Sequence, residues 1–169
     1  MNKSSLNALE KIGADQVTSA EICAMLDGAQ MLRDFEWLQI EALSAYVQLY
    51  RASPGSVLFS EGDQGDFMCI VLKGRVDIRK QDIKCADKSV ATVQAGRSFG
   101  EMALVDGEVR SATALVKDEA LLAVLTKDSF MSIRRDKPSL AIDLLIKFAQ
   151  TLSQRLRQTS GVLVDYLEK

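Results

Sequence analysis

Apolar and polar positions change period twice along the chain. The first 45 residues read as helical. Leu6, Leu9 and Ile12 stand at loose helical spacing within a short polar stretch, so residues 1–17 read as a mobile arm or weak helix. Thr18-Ser-Ala-Glu21 has the spacing of a capping box, Ile22, Met25 and Leu26 follow on one face, and Gly28 is placed to end the helix in a left-handed cap. A second helix is predicted from Asp34, with Phe35, Leu38, Ala42 and Leu43 on one stripe and Glu36 and Glu41 outside it. Such a stripe lies against something larger.

That body starts near Tyr46. Glycines at 55, 62, 65, 74, 96, 100 and 107 punctuate short β-prone runs: Val57 to Ser60, Phe67 to Leu72, Val76 to Lys80, Val90 to Gln94, Ala112 to Lys117 and Leu121 to Leu125. Strands this short and closely spaced predict an antiparallel sandwich or roll. The polar piece Gln81 to Ser89 reads as a surface hairpin loop, with Cys85 partly exposed. After Leu125 the period is helical again. Thr126 is suited to cap a short helix carrying Phe130 and Ile133, and Pro138 to open a long one running from about Ser139 toward Leu167. On it, Leu145, Leu152, Thr159 and Tyr166 recur every seven residues, with Ala149, Leu156 and Leu163 four later. This narrow seam runs beside Lys147, Arg155 and Arg157, and Gly161 interrupts it. The expected organisation is one domain: a helical segment over 1–45, a body of strands over 46–126 and C-terminal helices over 127–169.

Composition removes several function classes. The 169 residues include no histidine, which excludes a His-based triad or general base and a zinc site of the usual kind. The net charge is −2 and the basic residues are scattered, so no nucleic-acid footprint is present. Three cysteines without CxxC grouping fit reduced thiols in a cytoplasmic protein. No run is apolar enough for a signal peptide or a membrane span. Neither catalytic nor metal-ligating residues are expected.

One stretch concentrates the chemistry. Phe99 to Thr113 places Glu101 and Arg110 among small or apolar residues. Gly100 permits a sharp turn, and Glu101-Met-Ala-Leu-Val suits a helical turn whose free N–H groups face an anion. Arg110 is expected to close the pocket from the next strand, because a guanidinium fork matches a phosphate or carboxylate bidentately. Taken singly, each charge has the commoner reading of a solvated surface residue.

In order and spacing, two blocks resemble the cyclic nucleotide-binding domains shared by the bacterial catabolite activator, protein kinase A regulatory subunits and cyclic nucleotide-gated channels. Pro54 to Val76 is similar to the family's first roll segment, and Phe99 to Thr113 to its phosphate-binding cassette. The resemblance covers about residues 34–160 and implies an eight-stranded antiparallel β-roll, a double-stranded jelly roll, with short N-terminal helices and a long C-terminal helix. It implies that Glu101 accepts the ribose 2′-hydroxyl and that Arg110 pairs with the cyclic phosphate. Gly100, Met102, Ala103 and Ala112 would supply backbone or close packing, and Val90 a further ligand contact. Ser111 can reach the phosphate or a guanine amino group, which leaves cAMP and cGMP both open, cAMP being expected. Val109 stands where many members have proline; no ligand contact is lost by this. From the long helix, either Arg155 or Thr159 would touch the base. The implied function is a regulatory sensor, not an enzyme, homodimeric through its last helix. With the sequence ending at Lys169, it is expected to act on a separate effector protein. A ligand-free roll serving as scaffold or oligomerisation module is the alternative. A phosphodiesterase is disfavoured by the absence of histidine and of a clustered carboxylate metal site.

Overall fold

Alternation in the middle of the chain resolves into two antiparallel sheets. The computed structural model describes residues 6, 9–13, 15–82 and 86–167, with side chains to 164, in two units, Met1–Phe130 and Met131–Lys169. In the first unit the strands are β1 (Glu10–Lys11), β2 (Gln48–Ala52), β3 (Val57–Phe59), β4 (Phe67–Lys73), β5 (Arg75–Gln81), β6 (Asp87–Gln94), β7 (Ser98–Phe99), β8 (Thr113–Val116) and β9 (Ala120–Thr126). One sheet has the order β1-β2-β9-β4-β7 and the other β3-β8-β5-β6. Their inner faces share one core that includes Leu58, Val71, Val76, Val116 and Leu122. The fold is the expected β-roll, with nine strands among the described residues instead of eight.

Each strand's burial follows its neighbours. β4 lies between β9 and β7 and is buried from Phe67 through Val71, which is why its sequence is an unbroken apolar run. β6 is an edge strand exposed except at Val93, and its sequence is correspondingly polar. β5 and β6 form a hairpin with a register shift between Ile78 and Arg79, so the region expected as loop is partly strand. Cys85 lies outside the described residues.

The helical segments depart from expectation in detail. Within residues 1–17, Glu10–Lys11 pair with β2, and Leu6 and Ile12 are buried, so apolar anchoring makes the described residues of this stretch part of the roll and not a free arm. α1 (Ser19–Asp27) begins with the expected capping box, Thr18 with Glu21, but Gly28 closes it in a right-handed conformation at φ −69°. α2 (Trp37–Ser44) starts later than Asp34 because Glu36 and Gln39 form its capping box. Its buried residues are Ile40 and Leu43, while Leu38, assigned to the stripe, is exposed.

Between β7 and β8 runs α3 (Glu101–Asp106); α4 (Lys127–Asp136) spans the division between the units. α4 opens on Thr126, whose Oγ1 accepts the Ser129 amide at 3.1 Å. α5 (Pro138–Leu167) starts at the expected proline and continues unbroken through Gly161. Its buried residues are Leu140, Ala141, Leu144 and Phe148, all in its first three turns. Of the heptad seam, Leu145, Leu156 and Leu163 are exposed and Leu152 is half-buried. The side chain of Tyr166 is outside those described. Among the described residues no helix is long and apolar enough to cross a membrane.

Candidate functional site

Local chain geometry builds the site from the backbone outward. Phe99 ends β7 and Gly100 turns the chain at φ 82°, a left-handed conformation that L side chains rarely hold. α3 then runs for six residues without a side-chain cap at its start, and Gly107, at φ 76°, closes it by donating its N–H to the Ala103 carbonyl. Two left-handed glycines thus confine about 1.7 helical turns, with Glu101 as the first helical residue.

Arg110 does not lie on the next strand as expected. It precedes β8 and is held by the loop over residues 60–66. The Gly62 N–H donates to the Arg110 carbonyl at 2.9 Å, the Arg110 N–H donates to the Asp63 carbonyl at 2.8 Å, and Val109 bridges Gln64. The loop is itself turned by Asp63, whose Oδ2 accepts the Ser60 amide at 2.9 Å.

The side chains reverse the usual rule for charge. Among the described residues, Glu101 (0% exposed) and Arg110 (3% exposed) are the only charged side chains that are buried. Burying an ion costs several kcal/mol unless something replaces its water. For Arg110 the replacement is specific. Nη1 donates to the Gly100 carbonyl at 3.0 Å and Nη2 to the Phe67 carbonyl at 2.7 Å. The guanidinium carbon lies 4.0 Å from the Phe59 ring centroid and 4.5 Å from that of Phe67, so both rings present their negative faces to it. Nε is buried and has no hydrogen-bond partner. Burial draws the guanidinium below its ordinary value, opposed by Asp66, Asp63 and Glu101. Starting from so basic a group, it stays charged at neutral pH. Beside it, burial pushes the Cys69 thiol up to about 12, so Cys69 is neutral there.

A guanidinium held by two carbonyl acceptors and two aromatic faces, with its Nε–H unmade, has the chemistry to take an anion. Glu101 places a buried acceptor on the same short connection. The other expected positions fall as follows. Ala103 is buried, and a Cβ added at Gly65 would stand 2.2 Å from its Cβ and 3.2 Å from Arg110 Nε. Gly100 is also confined: a Cβ there would stand 2.9 Å from Arg110 Nη1. Met102 is exposed, and its sulfur receives the Ser111 hydroxyl at 3.9 Å. Ala112 is half-buried. Val90 is exposed at the β5–β6 register shift, between the paired positions Ser89 and Ala91. Arg155, half-buried, and Thr159, exposed, are on α5 in the second unit. The sequence reading missed Phe59 and Phe67, which flank the 60–66 loop, and took Gly65 only as a turn residue. Among the described residues no cluster of acids and cysteines is arranged to hold a metal ion.

The family model of the cyclic nucleotide-binding domain matches residues 50–137, more than half of the chain, including the 60–66 loop and the cassette. The chain belongs to this family. A cyclic nucleotide-binding domain of solved structure from Methylobacillus flagellatus KT superposes with a TM-score of 0.78 at 30% identity, covering 93% of this chain and 88% of that one. The cyclic AMP receptor protein of Thermus thermophilus is 28% identical over 120 residues, which are 71% of this chain and 54% of that protein. A CRP-like cAMP-activated global transcriptional regulator of Mycobacterium tuberculosis is 26% identical over 143 residues, 85% of this chain and 62% of the regulator. The cyclic nucleotide-binding domain seen here therefore spans between half and two thirds of these curated relatives.

Proposed function

We propose that this cyclic nucleotide-binding domain takes cAMP as its ligand, with cGMP as the competing choice, and relays occupancy to a partner protein in the cytoplasm. The observation that carries the reading is Arg110, buried and charged, with an unmade donor at Nε. An anion repays that arrangement best, and the cyclic phosphate supplies one negative charge of matching shape. Glu101 is assigned to the ribose 2′-hydroxyl, and Gly100, Met102, Ala103, Ser111, Ala112 and Val90 to the remaining ligand contacts. The two curated relatives named above carry cyclic AMP in their names, and a cGMP-dependent protein kinase is also among the relatives, so cAMP is favoured with cGMP as the competitor. The role is recognition and relay, not turnover.

The exposed seam of α5 supports a second part of the proposal. Leu145, Leu156 and Leu163 are large apolar side chains in water at heptad spacing, and a second copy of the chain offers them the same seam. We assign the homodimer contact to these residues with Leu152, and a ligand contact to Arg155 or Thr159. Calorimetric titration with cAMP, cGMP and a cyclic dinucleotide tests the ligand. Saturable one-site binding of cAMP, tighter than of the other two, is expected. Silence with all three, in a folded protein whose α5 still dimerises, would instead favour a ligand-free oligomerisation module.

A further inference from the structure

Residues outside the cassette converge on its end, at Arg110, Ser111 and Thr113. Lys80, near the end of β5, donates from Nζ to the Ser111 carbonyl at 2.7 Å and to Glu61 Oε1 at 2.9 Å. The second oxygen of Glu61 accepts the Gln81 amide at 3.2 Å, and the Glu61 amide donates to Thr113 Oγ1 at 2.9 Å. Glu61 adjoins Gly62 and Asp63, whose backbone groups grip Arg110 from both sides. Arg110 and Ser111 thus lie outside the strand ladder, since β8 starts at Thr113, and depend on a loop for their position.

A loop holds a ligand group accurately only when it is tied to something rigid. The Lys80–Glu61 pair is exposed on both sides, so as a salt bridge it contributes little to stability. Its geometry has another use. One ammonium spans a carboxylate on the loop and a main-chain carbonyl beside the anchor arginine, from a base on the β5–β6 hairpin.

We propose that Lys80 and Glu61 are positioning residues of the ligand site: through the Ser111 carbonyl they strap the segment carrying Arg110 and Ser111 to β5 and to the 60–66 loop, so that the nucleotide meets an ordered guanidinium and hydroxyl. The proposal rests on the cyclic-nucleotide reading above. Its physical basis is preorganisation: ordering done before binding does not oppose binding. Ser111 shows what is held ready. Its hydroxyl rests on a thioether, a weak acceptor, and is available to a stronger one on the ligand. With the carbonyl of the same residue fixed by Lys80, that hydroxyl has a defined place.

The test uses the whole chain with Lys80→Met, Glu61→Gln, their double variant and Lys80→Arg. Titration with cAMP and cGMP is combined with amide hydrogen exchange at Gly62 and Arg110 without nucleotide. Lys80→Met and Glu61→Gln should each weaken binding by roughly 3- to 30-fold, with little change in melting temperature. The double variant should lose about as much as either single one, because either change releases the strap. Exchange at both amides should accelerate, and Lys80→Arg should recover most of the affinity. Ser111→Ala should matter less in the Lys80→Met background than in wild type, a coupling that general destabilisation does not produce. Should Lys80→Met fail to fold, Glu61→Gln carries the same readouts. Unchanged affinity and unchanged exchange in a folded variant overturn the proposal while leaving the functional reading intact. Wild-type protein that binds neither nucleotide overturns the functional reading, and amide exchange then decides the strap by itself.

Discussion

The cassette and the last helix break the ordinary division between inside and outside in opposite ways. At the cassette, Glu101 and Arg110 are charged and buried; on α5, Leu156 and Leu163 are apolar and more than half exposed. Neither arrangement is favourable for the isolated chain. The cassette compensates internally, since Arg110 has two carbonyl acceptors and two aromatic faces, and its Nε–H stays unmade. The seam on α5 would be covered by a second copy of the same helix, the partner proposed above. The contrast teaches that unmade polar capacity points to a small anion, whereas an unpartnered heptad stripe points to another helix.

The sharpest break in that contrast comes from removing the buried charge. Arg110→Leu should abolish measurable cAMP binding in a folded protein, at ~2 to 5 kcal/mol or roughly 30- to 4,000-fold. Circular dichroism with equilibrium dialysis reads both parts. On the opposite side, Leu152→Glu with Leu156→Glu should weaken a homodimer by about 100-fold or more, through lost apolar burial and added like charge. Light scattering across a concentration series checks it, and a wild type monomeric throughout would remove the dimer from the account.

Gly65→Ala tests packing between these extremes. Its new methyl would displace Ala103 or the guanidinium, and overpacking of this kind costs about 1 to 3 kcal/mol, so affinity should fall by roughly 5- to 150-fold. Titration calorimetry with a parallel thermal melt shows whether the loss lies in the site or in the fold. The smallest effect is expected at Glu101→Gln, since an amide oxygen still accepts a hydroxyl hydrogen bond. About tenfold weaker cAMP binding is the expectation. A 2′-deoxy cyclic nucleotide should bind wild type poorly, and equal binding of parent and deoxy analogue would give Glu101 another task.

Sequence alone reveals elements whose signals are local. The capping box at Thr18 and Glu21, the proline opening α5 and the glycines around α3 were all legible because each acts through its own neighbours. The cassette was legible because its acid, base and glycines stand in one short stretch. What escaped was contact between distant segments. Phe59 and Phe67 read as ordinary strand residues, yet both rings lie against a guanidinium from the far end of the cassette. Gly65 reads as a turn, but its need is close approach to Ala103. Leu38 was placed on a buried stripe because periodicity gives the angle between residues and not which side meets the core. Glu10–Lys11 form a two-residue strand, too short for any period to show.

Arginine side-chain NMR addresses the central claim most directly, because the Nε–H of Arg110 is the donor assigned to the ligand. In uniformly 15N-labelled protein, the Arg110 Nε–H signal, assigned by its absence in Arg110→Lys, should shift strongly and saturate in step with cAMP binding. A saturating amount of cAMP that moves backbone amides and leaves this signal in place would contradict the account, because the phosphate would then be held elsewhere.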